Sequence, residues 1–214
     1  MRSLLNAIAY PIIKNMNNAV LGGVIATSPH LRYTPDNKPV CDFELAFTNP
    51  SKPESTKQIK CVGFGKTAEA IAQLHQGENV VVIGSINIIK QENKVYLTEF
   101  KISNLDVVPS PVNVNSVNIA GRTGQDTDMK YFESGTNKAT NSLAVRRYQE
   151  TDWFSLEAWG KTAEVMGNYV RKGGLIGVMG ELKFEEWTDR NSGELRSKAV
   201  IKVNQLELLG SKSE

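Results

Sequence analysis

Apolar and polar positions alternate strictly through much of the second half of the chain. In Asp152-Trp153-Phe154-Ser155-Leu156-Glu157-Ala158-Trp159, an extended strand puts Phe154, Leu156 and Ala158 on one face and Trp153, Ser155, Glu157 and Trp159 on the other. The stretch Glu181-Leu182-Lys183-Phe184-Glu185-Glu186-Trp187 repeats the arrangement, with Leu182 and Phe184 inward and Trp187 on the face of Lys183 and Glu185. All three tryptophans thus fall on the polar, water-facing side of a sheet. An indole left in water forgoes about 1.5–3 kcal/mol of burial, so a row of them beside cations suits a flat, anionic ligand. Unstacked nucleobases fit that description.

The same pattern predicts strands over 116–122, 140–148, 153–159, 174–187 and 197–208, with a helix over 161–171. That helix places Ala163, Met166 and Val170 on one stripe, and Lys172-Gly173-Gly174 is expected to end it with a cation and a flexible C-cap. The first half carries the same unit. Phe64-Gly65-Lys66-Thr67-Ala68-Glu69 matches Trp159-Gly160-Lys161-Thr162-Ala163-Glu164, the interval from Gly23 to Tyr33 matches that from Gly121 to Tyr131, and Gly77 and Gly84 match Gly173 and Gly180. Leu105-Asp106-Val107-Val108 likewise answers Leu206-Glu207-Leu208-Leu209. A period this long means duplicated domains rather than a solenoid. The expected organisation is an extension over 1–16, a domain over 17–108, a linker over 109–114 containing Pro109-Ser110-Pro111, a second domain over 115–209 and a short tail over 210–214. Five strands with a helix between the third and fourth, in about 100 residues, describe an OB-fold, a small Greek-key barrel. The fold class expected is therefore mostly β, two tandem five-stranded OB barrels.

Charge adds location rather than sign. The net charge of +2 over 214 residues is mild, yet six of the eight arginines lie in the second half, and their planar forks suit phosphate and base stacking. Arg122, Arg146, Arg147, Lys161, Lys183 and Arg196 are the candidate phosphate contacts there; the alternative is an ordinary solvated surface. Cys41 and Cys61 sit in apolar strands without metal-ligand spacing and are expected as buried, reduced thiols. With no bilayer-length apolar run and no cleavage pattern, a cytoplasmic, nucleoid-associated or organellar location is expected.

The second copy resembles the bacterial single-stranded DNA-binding proteins across nearly its whole length. The resemblance rests on Asn115-Ser116-Val117-Asn118-Ile119-Ala120-Gly121-Arg122-Thr123-Gly124-Gln125-Asp126 with Tyr131, on Asp152-Trp153, and on Trp159-Gly160-Lys161-Thr162-Ala163-Glu164-Val165. Tyr169-Val170-Arg171-Lys172-Gly173 and Trp187-Thr188-Asp189-Arg190-Asn191-Ser192-Gly193 complete it, and the phrasing around Trp187 is most similar to cyanobacterial members. The resemblance implies that Trp153, Trp159 and Trp187 stack on DNA bases, with Tyr148 within a residue of a fourth such aromatic. It further implies single-stranded DNA as partner, roles in replication, recombination and repair, and an assembly of four OB domains, hence a homodimer of this two-domain chain.

The first copy resembles the family in Leu31-Arg32-Tyr33-Thr34-Pro35-Asp36-Asn37 and Phe64-Gly65-Lys66, but Gln58 aligns with Trp153 and Gln91 with Trp187. Phe64 remains, on the strand face of Lys60 and Gln58. The first domain is therefore expected to assist or to assemble while the second grips. Where the family carries a tail ending in acidic residues and Phe, this sequence closes on Leu209-Gly210-Ser211-Lys212-Ser213-Glu214, so recruitment of partner enzymes through such a tail is not expected. Tyr33 and Tyr131 either plug a barrel end or join the binding surface. A structural, adaptor or RNA-binding role is the alternative function.

Catalysis is not expected. Gly-Lys-Thr at 65–67 and 160–162 imitates the end of a phosphate-binding loop, but Lys60 and Ser155 stand where the loop's first glycine belongs. His30 and His75 join no nucleophile or metal set, and no cofactor or metal is implied.

Overall fold

The structure, a computed structural model, describes residues 16–49, 52–90, 96–188, 193 and 195–210. Positions 1–15 of the expected extension, Gln91, residues 189–192 with Arg190, and the tail beyond 210 lie outside the described residues. The chain divides into two compact units, one of residues 18–116 and the other of residues 117–214 together with the stretch up to Asn17.

The first unit runs β1 (Asn17–Ile25), β2 (His30–Tyr33), β3 (Pro39–Asn49), β4 (Lys52–Phe64), α1 (Lys66–Ile71), β5 (Asn79–Lys90) and β6 (Tyr96–Val107). Strand β1 pairs with both β3 and β5, β3 with β4, β4 in parallel with β6, and β6 with β5, so the circuit of five strands closes on itself. The second unit repeats it with β7 (Asn115–Thr123), β8 (Asp128–Tyr131), β9 (Asn137–Arg147), β10 (Glu150–Trp159), α2 (Gly160–Tyr169), β11 (Leu175–Thr188) and β12 (Leu195–Gly210). Here β7 pairs with β9 and β11, β9 with β10, β10 in parallel with β12, and β12 with β11. These are two OB barrels, each with one helix between the strands expected.

Each barrel also carries a sixth strand that alternation does not reveal. β2 and β8 are four-residue strands on the outer edges of β3 and β9, too short and too polar to show a period. The segment after β6 is fastened to the first barrel: Gly22 N–H donates to the Val114 carbonyl (2.7 Å), Thr48 Oγ1–H donates to Asn113 Oδ1 (2.8 Å), and Val112 packs where a side chain on Gly22 would stand.

The inward set of the alternation fills the barrels. Phe154, Leu156 and Ala158 are buried with Leu143, Val178, Leu182 and Ile201 in the second, and Phe43, Leu45, Ile59, Val82 and Phe100 in the first. The glycines repeated between the copies mark where strands cross closely. A methyl on Gly121 would collide with the carbonyl of Ala144, as one on Gly23 would with Ala46, on Gly180 with Lys202 and on Gly84 with Lys101. Cys41 and Cys61 are buried and unbridged, and burial holds the Cys61 thiol well above the ordinary thiol range.

The helix of the second unit ends earlier than its apolar stripe. Val170 is extended and its N–H donates to the Met166 carbonyl (3.0 Å), although Ala163, Met166 and Val170 are all buried as expected. The capping cation is Arg171 rather than Lys172: its guanidinium donates to the carbonyls of Gly167 and Asn168, both at 2.8 Å, satisfying the open end of the helix. Gly173 N–H instead donates to Thr123 of β7.

The Gly-Lys-Thr repeats are strand-to-helix corners. Gly65 and Gly160 have φ of +58° and +55° with open space around a would-be Cβ. Gly160→Ala is therefore expected to cost only the left-handed backbone penalty, about 1–2 kcal/mol. Scanning calorimetry reads it as a melting temperature lower by several degrees, with DNA affinity retained if the corner re-forms.

Candidate nucleic-acid interface

Strand pairing builds the outward face of the second barrel position by position. Trp153 stands opposite Ala144, Ser155 opposite Ser142, Glu157 opposite Thr140 and Trp159 opposite Lys138; across β11 and β12, Glu185 faces Lys198 and Trp187 faces Arg196. The three indoles are 55%, 39% and 43% exposed for Trp153, Trp159 and Trp187, while Phe154, Leu156 and Ala158 between them are buried. Between Trp153 and Trp159 the same face carries a polar cleft of about 240 Å³ lined by Thr140, Ser142, Ser155 and Glu157 among others.

Two indoles are backed by the protein. The Trp153 ring lies against Gly124, where any side chain would strike both the ring and Ser142 Oγ. Trp159 is stacked on Phe132, with ring centroids 5.7 Å apart and planes 18° from parallel, and Lys138 Nζ stands 5.4 Å from its centroid. Phe132 has its own cation, Lys130 Nζ at 5.2 Å. Sequence reading missed Phe132, because it lies in the turn after β8 where no period applies, and missed the role of Gly124, although that glycine is part of the motif quoted above.

Glu157 departs from its expected place. Strand parity puts it on the water-facing side, yet it is only 3% exposed. Long side chains from neighbouring strands cover it: Lys183 Nζ donates to Oε1 (2.6 Å), Trp159 Nε1–H donates to the same oxygen (2.8 Å), and Lys138 pairs with Oε2. Burial alone would push this carboxyl up, but hydrogen bonds from Lys138, Lys183 and Trp159 outweigh it and bring the pKa down to about 2. The carboxylate stays ionised throughout the neutral range.

The candidate cations divide into two groups. Arg147 is held by Asp152 (2.9 Å) and Glu150 (2.6 Å), and Lys183 by Glu157 and by Glu185 (3.3 Å). Their charge is largely met within the protein. Arg122 donates to the Gly173 carbonyl (2.7 Å) from a half-buried position, Arg146 is exposed with Nε donating to the Tyr148 carbonyl (3.2 Å), and Lys161 is exposed on the first turn of α2. Arg196 is half-buried opposite Trp187. Tyr148 is exposed, but it occupies the β9–β10 turn with φ +52°, so it shares no strand parity with Arg146.

In the first barrel the register reproduces the alignment of the copies. Gln58 is exposed opposite Ala46, the counterpart of Trp153 opposite Ala144. Phe64 is 46% exposed with Lys101 Nζ 5.2 Å from its ring, and Lys60 lies 3.8 Å from Asp42, which also pairs with Arg32. Tyr33 and Tyr131 are both well exposed, so neither plugs a barrel end. Among the described residues no group of three or more His, Cys, Asp or Glu is arranged to hold a metal ion, and no helix is long and apolar enough to cross a membrane.

Comparison with known proteins bears on both barrels. The Single-strand binding protein family model matches residues 16–108 and again 114–209. Single-stranded DNA-binding protein 1 of Synechocystis sp. is 56% identical over 108 residues, covering 48% of this chain and 89% of that protein. Single-stranded DNA-binding protein 1 of Nostoc sp. is 58% identical over 106 residues, with the same coverage of 48% and 89%. The crystal structure of the wild-type single-stranded DNA binding protein from Thermus aquaticus superposes with a TM-score of 0.74 over 94% of this chain and 96% of that one. At 24% identity it speaks to the fold alone. With one family match on each of its two barrels, the chain belongs to the single-strand binding protein family.

Proposed function

We propose that the protein binds and protects single-stranded DNA without regard to sequence, in replication, recombination and repair, and catalyses no reaction. The observation that carries this reading is the set of three half-exposed indoles on one polar face, two of them on a strand whose alternate residues Phe154, Leu156 and Ala158 are buried. Stacking on such rings is sequence-tolerant because every base has a π-face. Bases would stack on Trp153, Trp159 and Trp187, with Tyr148 at the adjoining turn, while Arg122, Arg146, Lys161 and Arg196 hold the sugar-phosphate strand. Arg147 and Lys183 serve inside the protein instead. Duplex DNA, whose bases are already stacked, binds poorly.

The first barrel offers one platform, Phe64, with Lys101 over its ring and Lys60 four residues back on the same strand. Absence of two platforms, at about 1–3 kcal/mol per base, weakens it by a few kcal/mol. Its part is to assist or to assemble, and a homodimer presenting four barrels is the expected unit. Domain boundaries at 17–108 and 115–209, joined through 109–114, belong to the same reading.

Tryptophan fluorescence tests it directly. Poly-dT is expected to quench the emission strongly, and added salt to weaken binding linearly on logarithmic axes. Emission unaltered by poly-dT, or a matched RNA oligomer that competes better than DNA, would replace this reading with the adaptor or RNA-binding one.

A further inference from the structure

We infer that Glu157 is a positioning residue whose buried carboxylate fixes the Trp159 indole and, by pairing with Lys138 and Lys183, withdraws those two lysines from phosphate binding. The inference rests on the DNA-binding reading above. It begins with geometry: one carboxylate oxygen accepts from the indole N–H and from Lys183, the other pairs with Lys138, and Lys138 itself stands over the indole ring. Phe132 covers one face of that ring. Trp159 is thereby held at its edge by Glu157 and on a face by Phe132, so little rotational freedom remains to be lost when a base stacks.

The first barrel shows that the fold does not need this cluster. Val62 stands two residues before Phe64 as Glu157 does before Trp159, Val40 lies opposite Phe64 as Lys138 lies opposite Trp159, and Asn87 follows Gly84 by three residues as Lys183 follows Gly180. The same barrel therefore closes on Val62, Val40 and Asn87. Replacing a buried ion pair by apolar side chains of similar volume often leaves stability unharmed, so stability alone does not account for the carboxylate. What accompanies it is the indole in place of Phe64.

The test compares salt dependence of binding to a labelled dT oligomer, read by anisotropy, with fluorescence quenching read in parallel. In Glu157→Gln the amide still accepts from the indole, but Lys138 loses its counter-charge, while Lys183 keeps Glu185 at 3.3 Å. Lys138 becomes available to phosphate, and the slope of log affinity against log salt steepens by about 0.7, one contact on a single strand. The triple variant Glu157→Val, Lys138→Val, Lys183→Asn installs the first barrel's residues, a set this fold already accommodates. It keeps the wild-type slope but shows a smaller quench, because Trp159 is no longer held. Should Glu157→Gln fail to fold, the triple variant decides alone. A slope shallower by about 1.4 in the triple variant would mean that the lysines touch phosphate after all, and a full quench would mean that Trp159 needs no clamp; either overturns the inference. A wild-type protein that dT does not quench would remove the underlying reading with it.

Discussion

Replacing Trp159 and Trp187 together by alanine is expected to lower affinity for poly-dT by about 2–6 kcal/mol, two platforms at about 1–3 kcal/mol per base. That is roughly thirty-fold to twenty-thousand-fold in dissociation constant. The two rings stand on different strands, Trp159 opposite Lys138 and Trp187 opposite Arg196, so their losses should add rather than overlap. Both are well exposed, at 39% and 43%, and truncating them leaves the Phe154, Leu156 and Leu182 core untouched. Anisotropy of a labelled dT oligomer measures the loss, with circular dichroism to show the barrel intact. A change of less than threefold in a folded variant would mean that bases do not lie on these rings.

Acid provides the second large effect. The Glu157 carboxyl titrates at about 2 in the folded protein against an ordinary value of 4.5, so the unfolded chain takes up the proton first. The stability it contributes is present in full above pH 4.5 and is lost as pH falls toward 2. A displacement of that size, at about 1.4 kcal/mol per pH unit, is worth about 3 kcal/mol. All three tryptophans lie in the second barrel, so urea unfolding followed by their emission reports on that barrel alone. Wild type and Glu157→Gln should differ most at neutral pH and converge near pH 2. A difference that stays constant with pH would show that the carboxylate is not held as described.

Much of the architecture is legible in the sequence because it is written in local terms. Alternation around Phe154 and Leu182 marks the inward faces, the Gly-Lys-Thr repeats mark the strand-to-helix corners, and glycines recurring at Gly23 and Gly121 mark close strand crossings. The outward direction of the tryptophans follows from the same period. Other features depend on partners remote in the chain. Parity assigns Glu157 to the outer face but does not reveal that Lys138 and Lys183, from two other strands, fold over it. Arg147 looks like any other surface cation until Asp152, across the hairpin, claims it. The helix end shifts because Arg171 reaches back to its carbonyls, a rotamer choice that no pattern encodes. Phe132 and the short strands β2 and β8 lie in segments too brief for any period to register.

The glycine crossings recur in both barrels, whereas residues on the other side of the strands differ: exposed Gln58 where the other copy has Trp153, and buried Val62 where it has buried Glu157. Persistence of the scaffold and use of its surface are thus governed by separate sets of positions. One copy can exchange the residues of that side and still fold, which leaves it as a ready chassis onto which a new specificity can be grafted by a few changes along one side.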